Sequence, residues 1–260
     1  MQFKSYFELM QWGPEGWLDE MVFGTGLTLS VAVVSFLFGI VLGGLAAWAK
    51  ISGSPVSRAI AGTYTTVLRG VPDLLVLYLF YFGGAVALAW LAKLAFGYTG
   101  FIALPGFLVA TLAIGLVSGA YQAEVIRGSF TAIAPGEIEA ARACGMSGWT
   151  LVRRIIGPQV LRYAIPGMGN IWQLVLKEAA LVAVIGLAVQ VAEVKIGDIV
   201  LISETRFSDL LRQAHVAAGS TRQPFPFYIT CALLYLALTT VSSAGFRRAE
   251  AWATRGLKRG

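Results

Sequence analysis

Histidine occurs once in this 260-residue sequence, at position 215, and cysteine twice, at 144 and 231. One imidazole and two scattered thiols leave no set of side chains for a metal centre or for the usual acid–base constellations. Neither a G-x-S-x-G elbow nor an H-E-x-x-H helix is present, which argues against a membrane-embedded enzyme. A G-x-x-x-x-G-K-[ST] phosphate loop is also missing, so any ATP-driven role requires a second subunit. Charge is scarce as well: 13% of residues are charged, about half the share usual in a soluble domain.

What fills the chain instead is apolar. Apolar residues make up 57% of it, and the mean hydropathy is +0.72. Val22 to Ala49 contains no charge, and at ~1.5 Å per residue such a run exceeds the ~20 residues needed to cross a bilayer. Comparable runs are Leu74 to Ala92, Phe101 to Ala123, Leu161 to Ala192 (broken by Arg162, Lys177 and Glu178) and Pro226 to Phe246. An all-α polytopic membrane protein with about five spans is expected. The first 21 residues carry Glu8, Glu15, Asp19 and Glu20 against Lys4, which does not resemble a cleavable leader.

Basic residues set the orientation. Lys50, Arg58, Arg127, Arg142, Arg153, Arg154, Arg162, Arg247, Arg248, Arg255, Lys258 and Arg259 collect on one side, twice as many as on the other. The sparser side, with Lys4, Lys93, Lys195, Arg206, Arg212 and Arg222, also holds most of the acids. The expected organisation is an outer segment 1–21, a membrane domain 22–246 and a basic inner tail 247–260. An inner loop 131–160 and an outer loop 194–223 interrupt the membrane domain. This asymmetry accounts for the pI near 9.5 without nucleic acid. His215 falls in the outer loop, either solvated or in contact with a soluble partner.

The inner loop reads EIEAARACGMSGWTLVRRIIGP, from Glu137 to Pro158. Pro135 and Gly136 punctuate the chain, and Glu137 and Glu139 suit a first helical turn. Ile138, Ala141 and Gly145 share a face, and Gly145 can take the left-handed conformation that ends a helix. Ser147 is placed to cap a second helix carrying Trp149, Val152 and Ile156, which Pro158 breaks or kinks. An amphipathic hairpin on the membrane surface is the plainer reading.

The loop also resembles the EAA loop of ABC importer permeases. Glu139, Ala140, Ala141, Gly145, Ile155 and Pro158 fall on that pattern at its spacing, with Gly157 where leucine is usual. "TYTTVLRGVPDLL", "SGAYQAEVIRGSF", "RYAIPGMGNIWQLVLKEAALVAVIGL" and "FPFYITCALLYLALTTVSSAGF" are similar to the polar amino acid permeases of the histidine, basic amino acid and opine branch. The resemblance implies a type I importer permease in the bacterial inner membrane, with no cofactor of its own. It further implies ATPase subunits docked on the loop, a sister permease and a periplasmic binding protein. Basic amino acids are the first expected substrate, opines the second and other polar amino acids the third. A stand-alone secondary transporter would show an internal repeat and more spans; a scaffold would tolerate loss of its intramembrane charges.

Those charges are Arg69, Asp73, Glu124, Lys177 and Glu178, costly in apolar surroundings and therefore expected to face protein or a water-filled path. Arg69 and Asp73 flank Gly70-Val71-Pro72, at the spacing of a local ion pair; Glu124 and Arg127 stand three apart. Lys177 and Glu178, being adjacent, point about 100° apart on a helix. Glu178 or Asp73 would attract a solute cation, and Lys177 or Arg69 a carboxylate. The alternative is inter-helix pairing. Finally, GIVLG (39–43) and GLVSG (115–119) carry the small-xxx-small spacing of close helix contacts, within the chain or between copies. Trp12, Trp17, Tyr98 and Phe101 suit the outer membrane boundary, and Trp48 and Trp252 the inner one.

Overall fold

The protein is described from a computed structural model, which covers residues 5–97, 105–184, 189–196, 199–206 and 208–253. Tyr98, Phe101, Lys4, Asp198, Arg255, Lys258 and Arg259 lie outside the described residues. The helices are α1 (Tyr6–Leu9), α2 (Leu18–Ser52), α3 (Pro55–Gly70), α4 (Asp73–Tyr78), α5 (Gly84–Phe96), α6 (Gly106–Thr131), α7 (Pro135–Ala143) and α8 (Gly148–Leu151). They continue with α9 (Gly157–Glu178), α10 (Leu181–Val184), α11 (Leu210–Thr221) and α12 (Pro224–Ala253). π-helical turns at Leu79–Gly83 and Val152–Ile156 join α4 to α5 and α8 to α9, so helix runs unbroken from Asp73 to Phe96 and from Gly148 to Glu178.

Among the described residues three helices are individually long and apolar enough to cross a membrane: α2, α6 and α12. A further candidate is broken. α3 and the segment beginning at Asp73 meet at 109°. Ser54 starts α3 by accepting from the Ser57 amide (3.3 Å), with Pro55 at the first helical position. Val71 then turns extended, as a residue before proline prefers, and Pro72 precedes α4. The break expected at Pro72 is therefore a sharp corner.

The α2–α6 seam is built on glycine. A Cβ on Gly43 would lie 2.8 Å from the Gly119 carbonyl oxygen and 3.0 Å from the Ala123 nitrogen; one on Gly119 would lie 3.2 Å from the Gly39 carbonyl oxygen. Lipid offers Leu-like solvent, so helices gain by backbone approach and van der Waals contact rather than by hydrophobic exclusion. The two glycine motifs thus meet each other within one chain. Gln122, fully buried, adds a bond from its Nε2 to the Phe36 carbonyl (3.2 Å). Beside this seam α9 packs Trp172 edge-on against Phe36, ring centroids 5.4 Å apart.

Two expectations need correction. The run Leu161 to Ala192 is not one span: α9 ends at Glu178, and Val189–Ile196 forms β1, antiparallel to β2 (Ile199–Arg206) in the register Val189↔Arg206 to Ile196↔Ile199. This hairpin is the one sheet among the described residues of an otherwise helical fold. The stretch 194–223 is also more than a loop, because α11 buries Leu210, Ala214 and Ala217 against Leu9, Met21 and Phe227. α12 likewise carries the first part of the basic tail as helix, through Arg247 and Arg248.

Candidate functional site

The inner loop folds as a helical elbow. α7 ends in a reciprocal pair of backbone bonds: the Met146 amide donates to the Ala141 carbonyl (3.0 Å) and the Gly145 amide to the Arg142 carbonyl (2.9 Å). This closure needs a left-handed residue, and Gly145 has φ +78°. Ser147 holds an extended cap conformation without a side-chain capping bond. Glu139, Ala140 and Gly145 are exposed, whereas Ala141 is buried and packs inward, so the small-residue face divides in two. Of the second helix, Leu151 is the buried residue; Trp149 (74% exposed) and Val152 face outward. Trp149, Val152 and Ile156 do not form one inward face, because the π turn resets the helical phase between them.

Pro158 does not break the helix. The π turn, closed by the Gly157 amide, widens the backbone ahead of a residue without an N–H, and Pro158 sits exposed at the start of α9 with Ile155 half-buried. Gly157 suits this turn, since a Cβ there would come within 2.9 Å of the Val152 carbonyl oxygen. Gln159 donates to Glu137, tying α7 back to α9.

The interior charges separate into two groups. Glu124 on α6 is held by Lys50 from the end of α2 and by Arg127 Nε (2.9 Å). Lys50 also donates to Thr65 Oγ1 on α3. Lys50 and Glu124 are 14% and 19% exposed, and the cluster joins three helices. The pairing of Glu124 with Arg127 was legible from spacing; Lys50 was not, being 74 residues away.

The second group lies at the corner. Asp73, at the start of α4, and Glu178, at the end of α9, come within interaction range of each other. Glu178 is 3% exposed, and among the described residues neither of its carboxylate oxygens has a hydrogen-bond donor. Arg69 does not pair with Asp73. Its guanidinium stacks over the Tyr121 ring, 5.4 Å from the centroid, and Tyr121 stands among Arg69, Asp73 and Glu178. Lys177 points away, exposed on the outer face of α9, as the angle between adjacent helical residues requires. Tyr121 was missed in the sequence, where an aromatic inside a span carries no distinguishing mark. On the other side of the molecule, His215 Nδ1 and Tyr228 Oη form an exposed hydrogen bond (3.1 Å). Both cysteines are free, Cys144 exposed on the loop and Cys231 buried in α12.

A helical membrane bundle, a broken span and an exposed helix–glycine–helix loop define a permease subunit. The sequence matches the family described as "Binding-protein-dependent transport system inner membrane component" over residues 39–254, and the chain belongs to that family. It is a multi-pass component of the inner membrane. It is 51% identical to the octopine transport system permease protein OccQ of Rhizobium meliloti, across 98% of this chain and 99% of that protein. The nopaline permease protein NocQ of Agrobacterium fabrum shares 43% (96% and 98% covered). The histidine/lysine/arginine/ornithine permease protein HisQ of Escherichia coli K12 shares 35% (91% and 94%). A solved amino acid ABC transporter with histidines superposes with TM-score 0.70 at 29% identity, covering 92% of this chain and 99% of that one.

Proposed function

We propose that this permease subunit conducts an opine or basic amino acid, handed over by a periplasmic binding protein, and receives the cation of that solute at Asp73 and Glu178. The observation that carries the proposal is the convergence of two carboxyl groups from different helices with no basic partner bonded to either among the described residues. A buried carboxylate without a donor is costly, and a guanidinium or ammonium would supply the missing charge-assisted bonds. Octopine, nopaline and arginine all present a guanidinium. The 51% identity to an octopine permease moves opines ahead of the plain basic amino acids. Arg69, held beside the pair by Tyr121, is placed for a solute carboxylate. Lys177, exposed on the outer face, is reassigned from the path to a contact with lipid or a sister permease.

Cells carrying the complete transporter test this with labelled octopine and arginine. Glu178→Gln is expected to lower uptake roughly tenfold or more, the effect of losing one charge-assisted bond in a dry site. Asp73→Asn should act in the same direction. Wild-type rates in both variants at normal membrane abundance would remove the pair from the path.

The exposed surface of Glu139, Ala140 and Gly145 is assigned to the ATPase, with Ile155 and Pro158 setting the loop's angle to α9. Mild purification of the tagged chain should recover an ATPase and a sister permease in stoichiometric amounts. Recovery of the folded chain alone would favour a stand-alone transporter or scaffold.

Glu124 serves as an anchor for α2, α3 and α6 rather than a solute contact. Lys50→Met leaves its carboxylate half-paired and should cost about 1–3 kcal/mol, less than a fully buried pair because both groups retain some solvent. A lowered Tm in detergent with unchanged substrate preference is expected. An unchanged Tm or an altered preference would contradict the anchor.

A further inference from the structure

We infer that the cavity between the start of α9 and the end of α12 binds an anionic phospholipid of the inner leaflet. The cavity measures about 310 Å³ and is lined by Pro158, Leu161, Arg162, Ile165, Trp252 and Ala253. Among the described residues Arg162 is the one charged side chain that lines it, and it is half-buried. Among the described residues it has neither an ion-pair nor a hydrogen-bond partner. A cation drawn partly out of water without a counter-ion is unfavourable, so the cavity favours an anion.

The remaining walls narrow the choice to a lipid. Leu161, Ile165 and Trp252 offer apolar surface along which a glycerol backbone and the start of an acyl chain can lie, whereas a free anion would gain nothing from them. Position agrees. The cavity opens at the end of the bundle that carries Lys50, Arg58, Arg153 and Arg154, the inner side by the distribution of basic residues. Trp252, 63% exposed, lies where indoles settle at the membrane boundary. Anionic lipids concentrate in the cytoplasmic leaflet and draw basic side chains to it.

The neighbouring cavities lack this combination. One, of about 230 Å³, includes both Arg247 and Glu250 and so has no preferred sign. Another, lined by Trp172, Ser242, Gly245, Phe246 and Ala249, has no charged residue among the described ones.

The test uses the complete transporter, purified in mild detergent and examined by native mass spectrometry with added phosphatidylglycerol or phosphatidylcholine. Phosphatidylglycerol should remain bound, about fivefold more weakly in Arg162→Gln, the effect of one basic residue near an anionic head group. Arg162→Lys should retain it, as should Arg58→Gln, which removes an exposed inner-side charge elsewhere. Leu161→Trp, which narrows the cavity from its exposed wall and keeps Arg162, should weaken binding if Arg162→Gln fails to accumulate. Equal retention in wild type, Arg162→Gln and Leu161→Trp would overturn the site. So would equal binding of phosphatidylcholine. Displacement of the lipid by inorganic phosphate would reassign the cavity to a free anion and likewise overturn the proposal.

Discussion

Gly145→Asp is expected to abolish uptake while the protein remains in the membrane at normal abundance. Two costs combine. An L-residue forced into the left-handed region loses about 1–2 kcal/mol, and Gly145 has φ +78° in the turn that the Met146 and Gly145 amides close. An aspartate there also sets a carboxylate on the surface assigned to the ATPase, and burying it unpaired costs about 1–3 kcal/mol more. Together these come to about 2–5 kcal/mol, roughly a thirtyfold or greater loss of transport rate. The chain itself should tolerate the change, because beyond the adjacent residues no described atom lies within 4 Å of the added Cβ. Gly136→Asp is the control: it adds the same charge to an exposed glycine in the first turn of α7, without positive φ, and should transport far better. Normal uptake by Gly145→Asp would sink the coupling assignment; its absence from the membrane would point to a folding defect instead.

Gly43→Leu is expected to prevent accumulation of folded protein. Its Cβ alone would press on the Gly119 carbonyl at 2.8 Å, on Gln122 Cβ at 2.9 Å and on the Ala123 nitrogen at 3.0 Å, and two of these three are backbone atoms that cannot swing aside. Separating α2 from α6 to admit an isobutyl group would also disturb Gln122 and its bond to Phe36. The cost is upwards of about 3 kcal/mol, at the top of the range for overpacking. Gly44→Leu provides the matched case, since no described atom outside its own stretch of helix lies within 4 Å of a Cβ there. Size-exclusion profiles of fluorescently tagged variants in mild detergent read the difference. A sharp Gly43→Leu peak of wild-type height would mean that the glycines do not hold the seam.

Both predictions rest on features visible in the sequence. Charge-free runs announced α2, α6 and α12, because a bilayer demands length and hydropathy and little else. The glycine spacings announced the seam, and Gly145 the elbow. What escaped was of another kind. Lys50 reaches Glu124 across 74 positions, and no spacing rule connects residues that meet only when three helices assemble. The hairpin was hidden by its own composition: Val189, Val191 and Val194 extended the apolar run of α9, so hydropathy merged helix and strand. The β-branched residues on either side of Gly197-Asp198, two turn-forming residues between two strand-like runs, carried the better signal. Arg69 and Asp73 stood at pairing distance in sequence, but the 109° corner at Val71-Pro72 lies between them and sends Arg69 to Tyr121 instead.

The unbroken helix from Gly148 to Glu178 has a mechanical side. At ~1.5 Å per residue it is a rod of about 46 Å with the inner elbow at one end and Glu178 at the other. Tilting such a rod by about 5° about its cytoplasmic end swings the far end by roughly 4 Å, more than the length of a hydrogen bond. If Glu178 holds the solute as proposed, small angular strokes at the elbow are thereby enough to make or break its grip. The widened turn at Val152–Ile156 and Pro166 inside α9 both interrupt the regular ladder of backbone bonds, so their stiffness sets how much of each stroke arrives.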